Sequence, residues 1–268
     1  MIPVVNKRIS IKTFAIIVVA LILCVVSNLQ ITEARSVDTL PEASLGDFLG
    51  TVVLSGFRPI VVDVLWMKAD SMYTDRQYYQ LLSIYEFIAK LDPHFENAWV
   101  FNAFNLALSL SYLETDAEAQ WKWVRHGILF AQKGYEKNKQ SDQICFALAW
   151  IYYYRVPQNP EFYKFLENDI EINPQKVQPI LLAIDWAEKG FMIRPHTVFI
   201  DWVLEFCYSS CVRDSKDPNI KLYYQKKRLL VWKYFISVYE ETGKANEKII
   251  EIESEIQKLN KELENKKK

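Results

Sequence analysis

Phe57 to Tyr112 reads FRPIVVDVLWMKADSMYTDRQYYQLLSIYEFIAKLDPHFENAWVFNAFNLALSLSY. This stretch decides the fold. It holds no glycine, and its only prolines are Pro59 and Pro93. Its apolar residues recur at helical spacing. The spacing predicts a first helix over Ile60–Tyr73, with Val61, Val64, Leu65, Met67 and Ala69 inward. A second is predicted over Gln77–Lys90, with Leu81, Leu82, Ile84, Tyr85, Ile88 and Ala89 inward. Asp92-Pro93 ends it, and Pro93 suits the first turn of a third helix running to about Ser111.

Toward the C-terminus the helical pattern continues over Ala117–Lys137 and Asp142–Arg155. Pro157, Pro160, Pro174 and Pro179 break an irregular insertion that leaves room for a short helix at Phe162–Asn168. Further helices are predicted over Ile180–Met192 and from Pro195 to about Val212. Asp217-Pro218 opens a final long helix, interrupted near Thr242-Gly243. Composition agrees with an all-α chain. Half of the 268 residues are hydrophobic and 14% are aromatic, enough for a sizeable core, while 7 glycines and 10 prolines give little punctuation for short strands.

Toward the N-terminus, Lys7, Arg8 and Lys12 precede the apolar run Phe14–Val26 (FAIIVVALILCVV). With the residues up to Ile31 this makes a helix of about 19 residues, near the length that crosses a bilayer. Residues 13–31 are read as a transmembrane signal-anchor. The basic residues in front place the N-terminus in the cytoplasm and the rest outside it, at a bacterial inner membrane. A cleaved signal peptide is the second reading, with Ala34 a poor site because Arg35 follows. Lipidation at Cys24 is the third, with Leu23 where a small residue is normally needed. The expected organisation is a cytoplasmic tip and anchor at 1–31, a tether at 32–56, a helical domain at 57–243 and an amphipathic C-terminal helix at 244–268.

The tryptophans test for repeats. Trp66 and Trp99 lie 33 residues apart (99 − 66 = 33), Trp99 and Trp150 lie 51 apart, and Trp150 and Trp202 lie 52 apart. Ala131-Gln132-Lys133-Gly134-Tyr135 echoes Ala187-Glu188-Lys189-Gly190-Phe191, and Leu91-Asp92-Pro93-His94 echoes Ile193-Arg194-Pro195-His196. On these residues, 60–212 resembles a degenerate tetratricopeptide (TPR) array, whose repeat is about 34 residues long. The chain is also similar to membrane-anchored bacterial TPR proteins of unassigned activity, through Phe57–Trp66, Leu91–Phe95 and Trp121–Arg125 (WKWVR). The resemblance implies helical hairpins whose first helices line a groove for peptides or partner proteins. Small residues late in the second helices (Ala131, Gly134, Ala187, Gly190) let helices approach closely. The strict W-x2-L-G-x2-Y pattern is absent and two periods are stretched.

A groove needs polar groups on otherwise apolar helices. Asn102, Asn105 and Ser109 fall on one helical face, and so do Asp201, Glu205 and Ser209. Both stripes are candidate partner contacts; the alternative is that they face solvent or satisfy one another. Ile249, Ile252, Ile256, Leu259 and Leu263 are spaced 3, 4, 3, 4, an a/d pattern expected to pair with a partner helix or a second copy and to order on binding; the alternative is a frayed, solvated tail. Of the aromatics, among them Tyr152-Tyr153-Tyr154, Trp121, Trp123, Trp186 and Trp202, most are expected in the core and a few as binding anchors.

Chemistry-bearing motifs are missing. No Cys/His cluster or H-E-x-x-H indicates a metal. Cys207 and Cys211 lie one turn apart without C-x-x-C spacing, and no glycine-rich phosphate loop or G-x-S-x-G occurs. A net charge of −1 gives no pull toward nucleic acid. The expectation is therefore no enzyme, no cofactor, no metal, no nucleic acid and no small-molecule ligand. The chain reads as a scaffold or accessory subunit that binds other proteins of a membrane-associated assembly. The alternative is an enzyme or small-ligand carrier with an apolar pocket inside the array.

Overall fold

A computed structural model describes residues 58–195, 197–239 and 243–267. The anchor expected at 13–31 and the tether at 32–56 lie outside the described residues. Among the described residues all regular structure is helical, and no helix is long and apolar enough to cross a membrane. The chain divides into two compact units, Met1–Asp92 and Pro93–Lys268. The division falls inside the 57–243 segment.

In the first unit α1 (Arg58–Thr74) and α2 (Tyr78–Leu91) pack as a hairpin. Ala69, Leu81, Tyr85, Ile88 and Ala89 are buried between them, and Trp66 meets Tyr85 with ring centroids 6.0 Å apart. The inward face of α1 differs from the expected one. Val62 is buried, whereas Val64 and Met67 are exposed. A helix with apolar residues on most sides does not fix its own rotation; its neighbour does. The turn is closed by a backbone bond from Gln77 to Met72 and one from Arg76 to Tyr73. Arg76 has φ 59°, the left-handed residue such a helix end requires.

The second unit contains α3 (Glu96–Phe104), α4 (Ala117–Lys137), α5 (Asp142–Trp150), α6 (Pro160–Asn168), α7 (Pro179–Ile193), α8 (Val198–Asp214), α9 (Pro218–Tyr239) and α10 (Gly243–Lys267). In succession α3 packs on α4, α4 on α5, α5 on α7, α7 on α8, α8 on α9 and α9 on α10. Local chemistry sets the starts. Asp116 caps α4 through the amide of Ala119, Ser141 caps α5 through Ile144, and Asn159 caps α6 ahead of Pro160. Pro93 and Pro195 were expected inside first turns but lie ahead of them, since α3 opens at Glu96 and α8 at Val198.

Close helix contacts hold this unit together. A Cβ on Gly134 would lie 2.7 Å from the Trp99 ring, and one on Gly127 would lie 2.7 Å from the Ala103 carbonyl oxygen. Gly190 approaches Ile200 and Cys145 as tightly. Ala131 and Ala187 are fully buried beside them. Trp99, wedged under Gly134, donates its Nε1–H to the Pro93 carbonyl at 2.9 Å and packs on Phe130 at 4.8 Å.

Two helices do not run to their ends as α-helix. After α3 the chain continues as a π turn (Asn105–Ser109) and a 3-10 turn (Leu110–Leu113). After α5 it continues as a π turn (Ile151–Arg155) and a 3-10 turn (Val156–Gln158). Such widened turns often mark functional positions. Here the second one separates Tyr152, which is buried, from Tyr154, which is exposed, and turns Arg155 inward.

Candidate functional site

Asp201 and Glu205 lie one turn apart on α8 and both are buried; of the readings open from the sequence (a groove, a solvent-facing stripe, or polar groups satisfied between neighbouring helices), Glu205 follows the last. Their cover is α9. The Glu205 carboxylate accepts from Arg228 Nε at 3.1 Å on each oxygen and from Nη2 at 2.5 Å. Arg228 Nη1 donates to Gln225 at 3.0 Å, and the Gln225 amide in turn donates to Glu255 of α10. The arrangement is a bidentate ion pair extended by an amide, which fixes three helices in register. Asp201 has no such partner. Both its oxygens are buried without a hydrogen bond, and burial pushes its carboxyl up to about 6. Beside it a space of about 10 Å³ is lined by Trp202, Val231, Trp232 and Phe235. That is room for one water-sized group.

Asn102 is likewise fully buried, with its amide nitrogen and oxygen both unpaired. Asn105 and Ser109 are half-buried within the π turn. The wider turn breaks the i, i+3, i+7 register, so the three do not form one α-helical face. Ser209 is half-buried, and it is its neighbours Ser210 and Cys211 that reach the nearest cleft. Along α10, Ile252 is fully buried while Ile249, Ile256, Leu259 and Leu263 are half-buried. The stripe expected to wait for a partner is covered in part by α9. Lys233–Glu253 at 2.8 Å crosses the same seam.

The feature that spacing alone did not single out as a site is an open cleft of about 470 Å³. The π turn after α5 supplies Tyr152, Tyr153 and Tyr154. Pro157, Gln158 and Tyr163 follow, and Gln178 and Pro179 open α7. The end of α8 closes the cleft with Ser210, Cys211, Arg213 and Asp214. Tyr154 stacks on Trp150 at 5.2 Å and 12°, and Tyr153 stacks on Phe206 at 6.0 Å and 13°. Second-layer aromatics thus hold these two rings in place. Tyr154 is 45% exposed and Tyr163 41%. Arg213 is occupied by Asp214 at 2.9 Å, so the wall carries no unpaired ionic group of its own. Burial pushes the Tyr152 hydroxyl and the Cys211 thiol above their ordinary values, which keeps both neutral.

Behind the cleft sits Arg155, 1% exposed and faced by no carboxylate among the described residues. It donates to Ser111 Oγ at 3.0 Å and Gln120 Oε1 at 3.1 Å, and lies over the rings of Tyr112 (4.4 Å) and Phe162 (4.8 Å). Ring faces and neutral acceptors replace a counter-ion there. Tyr112 donates to Gln158 at the cleft rim, which links the buried arginine to the wall.

No protein family matches the chain, and no curated protein matches it either.

Proposed function

We propose that the protein is a helical scaffold that docks another protein of a membrane-associated assembly, and that the tyrosine-walled cleft is the contact. The observation that carries this reading is a difference in scale. The cleft opens about 470 Å³ to the surface, whereas the space beside Asp201 measures about 10 Å³. The first is wide and open enough to receive a peptide segment; the second has room for a single water-sized group. Tyrosines that are rigidly backed and partly exposed are the residue type that dominates contact energy at protein interfaces. The finer architecture we assign is a degenerate TPR-like array. The supports are the close approaches at Gly134 and Gly190 and the echoing sequence blocks around them. The Phe14–Val26 run behind Lys7, Arg8 and Lys12 supports an inner-membrane anchor at 13–31, with the helical part outside the cytoplasm.

The test is site-specific photocrosslinking in intact cells of the native host. A photoreactive phenylalanine analogue replaces Tyr154 or Tyr163 in the full chain, and Tyr79 on α2, which is 80% exposed, in a control. The expected result is one shared crosslinked partner from both cleft positions and none of it from Tyr79. No crosslinked partner from the cleft, or the same product from all three positions, would sink the reading.

A further inference from the structure

α1 carries a second apolar face that its hairpin does not cover. Val62 and Ala69 are buried, whereas Ile60 is 60% exposed, Val64 52% and Met67 66%. With about 3.6 residues per turn, these three fall on the side of α1 away from Val62 and Ala69. Exposed Ser71 continues the line. The steps from Ile60 to Val64, Met67 and Ser71 are 4, 3 and 4, and in the sequence Phe57, which lies outside the described residues, adds a step of 3 ahead of them. Adjacent apolar residues left open in heptad spacing are the seam of a helix pair that lacks its second helix.

The charges beside the seam select that helix and its direction. With Val64 and Ser71 at a and Ile60 and Met67 at d, Asp63 and Asp70 take g and Lys68 takes e. All three are exposed, and neither Asp63 nor Lys68 makes an ion pair with another described residue. In a parallel, in-register pair a g residue faces the e residue of the next heptad in its neighbour. Lys68 stands at that position for Asp63 (68 − 63 = 5), so two copies of α1 exchange two Asp63–Lys68 pairs. Antiparallel pairing would set g against g, acid against acid. The next parallel position would bring Asp70 toward Asp75, but α1 ends at Thr74 and Asp75 is off the helix. An anionic bilayer is a poor cover for the same face, because Asp63 and Asp70 border it.

We infer that α1 is a self-association surface. Two copies of this chain pair in parallel through Ile60, Val64 and Met67, with Asp63 of each facing Lys68 of the other. About two heptads are too few to hold isolated helices together. In this respect the pairing rests on the anchor proposed above: two chains held at 13–31 in one bilayer run the same way and meet at high local concentration.

The test uses two differently tagged full-length copies expressed together in the native host, one carrying a photoreactive phenylalanine analogue at Val64 or Met67. Both positions should crosslink to the other tagged copy, and Tyr79 on α2 should not. Asp63→Lys in both copies should cut the yield about threefold or more. Adding Lys68→Asp should restore it, since the pairs re-form with their charges exchanged, and the restored yield shows that the altered chain folds. No product between copies, equal product from Tyr79, a product with a different protein instead, or a double variant as weak as the single one would overturn the inference. Washed membranes from the same cells separate it from the anchor. Copies that crosslink but wash off the membrane would sink the anchor and leave the pairing; copies that stay and do not crosslink would do the reverse.

Discussion

Both carboxylate oxygens of Glu205 lie 3.1 Å from Arg228 Nε. The pair sits between α8 and α9, with Arg228 5% and Glu205 7% exposed, so neither charge has water to fall back on. Removing one partner strands the other. Glu205→Leu alone should cost about 3–5 kcal/mol, because Arg228 is left buried and unpaired, whereas Glu205→Leu combined with Arg228→Met should cost far less than the sum of the two single changes. Urea unfolding of the four members of the cycle measures this. Additive losses would mean that the two residues act independently.

One turn earlier, Asp201 makes the opposite contribution. Its carboxyl titrates at about 6, above the ordinary value near 3.8, because burial disfavours the charge. A raised carboxyl favours the folded state in its protonated form. The benefit is full below about pH 4 and is lost as pH rises through 6. Asp201→Asn, which cannot ionise, should match the parent at pH 4 and exceed it by roughly 1–3 kcal/mol at pH 8. Denaturation midpoints at the two pH values decide it. A variant less stable than the parent at pH 8 would show that the carboxylate has a partner in solution.

Much of this arrangement was legible from the chain, and the division follows interaction range. The limits of α4, Ala117–Lys137, came out as expected because Asp116 caps its start and the signal is local. The rotation of α1 did not, since Val62, Val64 and Met67 are equally apolar and only α2 decides which is covered. Asp201 and Glu205 read as a polar stripe because Arg228, which explains half of it, lies 23 residues further on. The cleft was out of reach for a similar reason. Tyr152-Tyr153-Tyr154 looks like core in sequence, yet within the π turn the first ring is buried and the third is exposed, and the cleft residues it joins come from α6, α7 and α8, far along the chain.

Gly134 and Gly127 make equally close approaches in the α3–α4 contact, and Gly134 is the one that meets a ring. Its absent Cβ would lie 2.7 Å from Cγ and Cδ2 of Trp99, a ring that is 3% exposed and cannot move aside. Gly134→Ala gains about 1 kcal/mol of helix propensity and should still lose roughly 1–3 kcal/mol net through overpacking. Trp99→Leu in the same background should recover part of that loss. Thermal unfolding of both proteins tests the claim, and a stabilised Gly134→Ala would show that the helices have room to separate.

The apolar stripe of α10 divides into a structural half and a half available for contact. Ile252 is fully enclosed, and Gln225 reaches Glu255 just beyond it. Leu263 is half-buried near the helix end and is not part of that hydrogen-bonded seam. Ile252→Ala should therefore destabilise the protein by about 2–4 kcal/mol, as a cavity in a packed seam does. Leu263→Ala should cost under about 1 kcal/mol. Equilibrium unfolding separates the two. If Leu263→Ala instead unfolds the protein as readily as Ile252→Ala, the outer half of the stripe is core as well, and α10 has no apolar residue left there for a partner helix. If Leu263→Ala is stable and the Tyr154 photocrosslink is unchanged, docking at the cleft does not need the end of α10.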